Sequence, residues 1–156
     1  MELCNENLAT MITNKNKIFT ISEIKEILNQ LNNSFKIMNE NKMAHRDLKP
    51  QNILVKYKNE NDKNEFIIKL SDYGEASILT MTRKVFSSNA GTLDFMAPEI
   101  LNREPYDLKC DLWSLGVIIY ILYFRIHPEN LKYHIQKSKK EDFDKIYFLK
   151  LTTFFL

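Results

Sequence analysis

Glycine is scarce in this chain. The 156 residues hold three, Gly74, Gly91 and Gly116, so nothing before residue 74 can form a glycine-rich phosphate loop. Such a loop needs residues without a Cβ, so that backbone N–H groups can close on the phosphates. Cysteine is rarer still. Cys4 and Cys110 make no CxxC pair, and with His45, His127 and His134 they form no zinc-ligand spacing, which argues against a structural metal. Two cysteines and no secretory leader point to a reducing, intracellular setting, the cytoplasm first, with the nucleus left open. Long hydrophobic runs are missing too: Val117 to Phe124 is the most apolar stretch, and a bilayer takes about 20 residues to cross. The C-terminal Phe154-Phe155-Leu156 carries no prenylation cysteine. Neither sign of charge prevails, since 22 basic against 20 acidic residues leave +2. The one dense basic run, Lys137 to Lys140, is followed at once by Glu141 and Asp142 and reads as a solvated helix end or loop. No concentrated basic face marks a nucleic-acid binder, and no membrane partner is indicated.

What is present is an ordinary globular composition, 44% hydrophobic and 27% charged, in a chain long enough for one real core. Thr20-Ile21-Ser22-Glu23 has the spacing of a capping box. Ile24, Ile27, Leu28, Leu31, Phe35 and Met38 then recur at three- and four-residue intervals, which predicts an amphipathic helix ended by Asn39-Glu40-Asn41. Ile53 to Val55 and Phe66 to Leu70 read as two strands of a hairpin, with Lys58 to Asn64 as its long solvated loop. Residues 75 to 96 are rich in Ser and Thr and keep no period, so a loop is expected. From Leu108 to Ile126 the apolar content is high on nearly all sides, the mark of a helix buried all round, with Trp113 and the Val-Ile run in the core. Beyond Pro128 the period weakens and lysine becomes frequent.

The densest chemistry lies in His45-Arg46-Asp47-Leu48-Lys49-Pro50-Gln51-Asn52. An acid stands five positions before a carboxamide, with a cation between them, and neither a turn nor a helix cap explains that string. Asp72-Tyr73-Gly74 and Ala97-Pro98-Glu99 follow in order. Taken singly these two are ordinary: Asp and Gly populate turns, and Pro with Glu starts helices. Together, the three motifs resemble the catalytic loop, the Asp-Phe-Gly and the Ala-Pro-Glu of eukaryotic protein kinases. Lys49, with Gly91-Thr92 ahead of Ala97, resembles the serine/threonine type.

That resemblance implies an α+β, mainly α fold: a protein-kinase-like C-terminal lobe with a small β hairpin, truncated at both ends. It covers residues 1–128, hinge through central buried helix, and leaves 129–156 as a lysine-rich tail without clear resemblance. The implied cofactors are ATP and Mg²⁺. Asp47 would orient or accept the proton of a substrate hydroxyl, Lys49 would approach the transferred phosphate, and the Thr92 hydroxyl would bridge the two. Asn52 and Asp72 would hold Mg²⁺ through oxygen, as suits a hard ion that keeps several waters. Met1-Glu2-Leu3-Cys4 resembles the hinge, where the Glu2 carbonyl and Cys4 amide would face adenine with Leu54 packed beneath it. Tyr73 would stack near His45, Asp111 would accept hydrogen bonds from the catalytic-loop backbone, and Ser88, with Ser87 beside it, would be a regulatory phosphosite read by Arg46.

Two functions stay open. One is a protein serine/threonine kinase, acting on Ser or Thr of a protein substrate, of which this sequence is a part. The other is a non-catalytic kinase-like module that binds partners. The absence of a glycine-rich loop, a strand lysine and its helix glutamate speaks for the second or for a complementing polypeptide. The intact Asp47, Lys49, Asn52 and Asp72 speak for the first.

Overall fold

A computed structural model of the chain describes residues 3–13, 17–59, 62–79 and 91–125. The chain opens with a short strand, β1 (Glu6–Asn7), running directly into a helical turn and a half, α1 (Leu8–Thr13). Asn7 makes that entry possible, because its Oδ1 accepts from the Thr10 N–H at 2.9 Å and caps the helix. Neither element was foreseen, as neither is long enough to show a period.

The long helix, α2 (Ile21–Glu40), forms where the periodicity predicts it. Its capping box is closed: the Glu23 N–H donates to Thr20 Oγ1 at 3.2 Å, and the Thr20 N–H donates to Glu23 Oε2 at 2.8 Å. Reciprocal caps of this kind stabilise a helix by about 1 kcal/mol. Ile24, Ile27, Leu31, Phe35 and Met38 are buried along one face, as the spacing requires.

After α2 come β2 (Met43–Ala44), a 3₁₀ turn at Pro50–Asn52, β3 (Ile53–Asn59), β4 (Asp62–Leu70) and β5 (Ser77–Ile78). β1, β3 and β4 make one antiparallel sheet in that order, and β2 pairs with β5 in a second. The hairpin is longer than expected, since its strands run into the segment Lys58 to Asn64 that reads as loop. Pairing needs only backbone groups, so the ladder continues past Tyr57 whatever the polarity of the side chains. Ile53, Val55 and Tyr57 alternate into the core. On the far edge of β4, the Gln30 side chain of α2 donates to the Phe66 carbonyl at 3.0 Å and accepts from the Ile68 N–H at 2.7 Å, covering an otherwise open strand edge.

The chain then passes through a 3₁₀ turn at Leu93–Phe95 into α3 (Pro98–Leu101) and α4 (Cys110–Phe124). α4 stops one turn before Pro128, at Arg125, whose φ of 58° is left-handed. Leu115, Ile118 and Ile121 of α4 join Leu31, Ile53 and Val55 in the main core. A smaller cluster of Ala44, Ala97, Ile100, Tyr106 and Cys110 lies under the loops. One expectation fails: Trp113 is 44% exposed. An apolar sequence by itself does not say which sides of a helix are covered. Among the described residues no helix is long and apolar enough to cross a membrane. The tail read as 129–156 lies outside the described residues.

Candidate active site

The loop from His45 to Asn52 hangs from α4. Asp111, at the start of that helix and nearly inaccessible, accepts from the His45 N–H at 2.7 Å and the Arg46 N–H at 2.8 Å, one to each oxygen. Burial pushes its carboxyl above the usual range, and the two backbone donors pull it down without cancelling the effect. Arg46 sits at a left-handed φ of 68°, a conformation that costs a non-glycine residue about 1–2 kcal/mol. Asp111 holds it there, and so does Arg46 Nε donating to the Glu75 carbonyl at 2.6 Å.

Asp47, Lys49 and Thr92 close a triangle. Lys49 Nζ lies 2.7 Å from Asp47 Oδ2. Thr92 Oγ1 donates to Asp47 Oδ1 at 2.8 Å and accepts from Lys49 Nζ at 3.0 Å. Asn52 completes the net, its amide donating to the Asp47 carbonyl at 2.8 Å and to Asp47 Oδ2 at 3.2 Å. Burial alone would raise the Asp47 pKa, but hydrogen bonds from Lys49, Thr92 and Asn52 and the Lys49 charge outweigh it and hold the carboxyl below its ordinary value. The result is an ionised acceptor, fixed in place, with a cation beside it.

Asp72 arrives from the other side. The strand β4 ends at Leu70, and Ser71 donates through its N–H to the Asn52 carbonyl at 2.9 Å. His45 joins the two loops: Nε2 donates to the Ser71 carbonyl at 2.9 Å, which leaves Nδ1 to accept from the Asp47 N–H at 3.4 Å. The backbones of Asp47 and of the residue before Asp72 thus meet at one imidazole. Tyr73 lies against that ring, centroids 4.9 Å apart, half-exposed, and burial raises its phenol above the ordinary value. Asp72 itself has a left-handed φ of 61° and an exposed side chain, touched by the Gly74 N–H at 3.4 Å.

Two of the residues expected to face adenine are in or just before the first sheet. Cys4 precedes β1 and is a free, partly exposed thiol, while Leu54 in β3 is partly buried and pairs in register with Asn7, three residues on. Glu2, Ser87 and Ser88 lie outside the described residues. Among the described residues no three His, Cys, Asp or Glu side chains gather as a metal cluster. Asn52 and Asp72 offer two oxygen donors, a carboxamide and a carboxylate, which suits Mg²⁺ completed by phosphate and water and suits no all-protein site.

Gly91 carries a requirement that its sequence position alone does not reveal. Its φ is 108°, and a Cβ there would lie 2.2 Å from the Arg46 carbonyl oxygen. Only glycine lets this segment pass close enough for Thr92 to reach Asp47. The signal was available, as one of three glycines stands directly before a candidate site residue. Ser114 of α4 was also missed. Its hydroxyl donates to the Phe95 carbonyl at 2.7 Å and anchors the turn after Thr92.

Residues 1–153 match the family model of the protein kinase domain. The chain is 34% identical over 147 residues to calcium-dependent protein kinase 6 of Plasmodium berghei (strain Anka), covering 90% of this chain and 10% of that protein. It is 38% identical over 112 residues to serine/threonine-protein kinase TIO of Arabidopsis thaliana, covering 72% of this chain and 8% of that protein. Its fold is similar to a chain in the crystal structure of the yeast RNA Pol II CTD kinase CTDK-1 complex, with a TM-score of 0.71 at 24% identity, over 94% of this chain and 44% of the other. The fold is thus kinase-like, a mixed arrangement of helices and small sheets. The chain belongs to the protein kinase family, and it spans about a tenth or less of the length of these two relatives.

Proposed function

We propose that this chain contributes the C-terminal-lobe half of a serine/threonine kinase active site, transferring the γ-phosphoryl group of ATP to Ser or Thr hydroxyls of a protein substrate. The observation that carries this reading is the closed Asp47–Lys49–Thr92 triangle. Phosphoryl transfer asks the protein mainly for position and charge. Asp47, ionised and held from three sides, orients the substrate hydroxyl and takes its proton as the new O–P bond forms and the bond from the γ-phosphorus to the departing ADP oxygen breaks. Lys49 places a positive charge beside the oxygens of the transferred group. Thr92 fixes the distance between the two.

Asn52 and Asp72 are the residues that would hold Mg²⁺, which when bound neutralises charge on the nucleotide phosphates. Asn52 is suited to this because its N–H₂ is spent on Asp47, which turns its oxygen the other way. Cys4 and Leu54, with Glu2, remain the residues proposed to meet adenine. Clamping of the phosphates from above needs backbone groups that the three glycines of this sequence do not supply, so other residues of the protein or a second polypeptide must provide them.

The test is incubation of the protein with γ-labelled ATP, Mg²⁺ and a mixed protein substrate, followed by phosphoamino-acid analysis. Label on Ser and Thr, lost without Mg²⁺, is the expected result. Stoichiometric binding of a partner protein with no label transferred would favour the non-catalytic module, and label on Tyr would overturn the substrate class.

A further inference from the structure

Ser71, the residue between β4 and Asp72, ties the segment entering Asp72 directly to Asn52, the other proposed metal-binding residue. Its N–H donates to the Asn52 carbonyl at 2.9 Å, and its hydroxyl donates to the same oxygen at 3.1 Å. Its own carbonyl accepts from His45 Nε2 at 2.9 Å. All three polar groups of Ser71 are therefore engaged, two of them on Asn52. By contrast, the Asp72 side chain meets a single donor at 3.4 Å among the described residues. Nothing local to Asp72 sets its distance from Asn52, and its left-handed φ of 61° makes the turn dependent on what precedes it.

The backbone holds Ser71 at two points, its N–H on the Asn52 carbonyl and its carbonyl on His45. The hydroxyl adds a third contact, again to the Asn52 carbonyl, which ties the way the chain leaves Ser71 for Asp72 to Asn52 itself. Asn52 is rigid in turn, because its amide holds Asp47. A rigid carboxamide and a carboxylate leaving at a fixed angle define the width of the gap between two oxygen donors. Mg²⁺ is exacting about that width, since it demands near-octahedral geometry at about 2.0–2.1 Å.

We infer that the Ser71 hydroxyl is a positioning group that sets the Asn52–Asp72 spacing and so the Mg²⁺ concentration at which nucleotide binds. The inference rests on the kinase reading above and goes beyond it by naming the residue that tunes the ion site without touching the ion. Ser71 is not a catalytic residue.

The experiment is a thermal-melt titration of the protein with MgCl₂ at fixed ADP, comparing the natural sequence with Ser71→Ala, Ser71→Cys and Ser71→Thr. Removing one hydrogen bond from the pair that holds the gap raises the half-saturating Mg²⁺ concentration about threefold to tenfold in Ser71→Ala. Ser71→Thr keeps the hydroxyl and restores the natural midpoint. Ser71→Cys, a weak donor of similar shape, falls between them and carries the test should the alanine variant fail to fold. A merely structural role would lower the melting temperature without nucleotide and leave the Mg²⁺ midpoint unchanged. That result, or a threonine variant behaving like alanine, overturns the inference while the kinase reading stands. No Mg²⁺-dependent stabilisation of the natural sequence by ADP would overturn both.

Discussion

The loops that carry Asp47 and Asp72 meet at the His45 imidazole, yet they are held very differently. Asp47 lies inside a net: Lys49, Thr92 and Asn52 meet its carboxylate, and the backbone before it hangs from Asp111. Asp72 is exposed, follows a left-handed turn, and has one weak contact to its side chain. The difference fits the two proposed roles. An acid that orients a neutral hydroxyl must be in place before the substrate arrives, because a hydroxyl does not draw it there. An acid that binds a divalent ion needs only its backbone set beforehand, as Ser71 sets it here, since the ion draws the carboxylate the rest of the way.

The comparison breaks most severely if the rigid loop loses its support. Asp111→Ala leaves the His45 and Arg46 N–H groups buried without acceptors, at a cost of about 2–4 kcal/mol in stability, measurable by urea unfolding. Activity falls further than nucleotide binding does, since Asp111 supports the Asp47 loop directly and the Asp72 loop only through His45. Next in size is Gly91→Ala, whose Cβ would strike the Arg46 carbonyl oxygen and whose φ of 108° is unfavourable for alanine. It is expected to cost about 1–3 kcal/mol and to separate Thr92 from Asp47, seen as a drop in kcat with little change in KM for ATP.

A smaller effect sharpens the comparison through pH. The Asp47 pKa is lowered, so its contribution to stability is present above the ordinary carboxylate range and is lost as pH falls through the lowered value. The acid limb of kcat/KM therefore lies below the ordinary carboxylate range. Lys49→Met removes one hydrogen bond and one positive charge from Asp47 and moves that limb to higher pH. An unmoved limb would show that a group other than Asp47 titrates there.

Where sequence and structure agree, the information was local. The helix Ile21–Glu40 was legible because its cap, Thr20 with Glu23, and its apolar period lie within the helix itself. The site was legible because His45 to Asn52 compresses an unusual set of residue types into eight positions. What escaped was long-range. That Thr92 reaches across 45 positions to Asp47 came from the family resemblance, and the glycine that permits the approach was visible only as a coincidence of spacing. The pairings of β1 with β3 and of β2 with β5 involve two residues each, too few for any alternation to register. Trp113 was misplaced for a related reason: an all-apolar helix states that it is covered, not by what.

The central claim is that Asp47 is the fixed acceptor for the substrate proton. Single-turnover transfer of labelled phosphate from ATP, comparing the natural sequence with Asp47→Asn at saturating nucleotide, tests it directly. The account predicts a rate lower by about 10²–10⁴-fold with nucleotide affinity retained. An asparagine variant that transfers phosphate at the natural rate would contradict it.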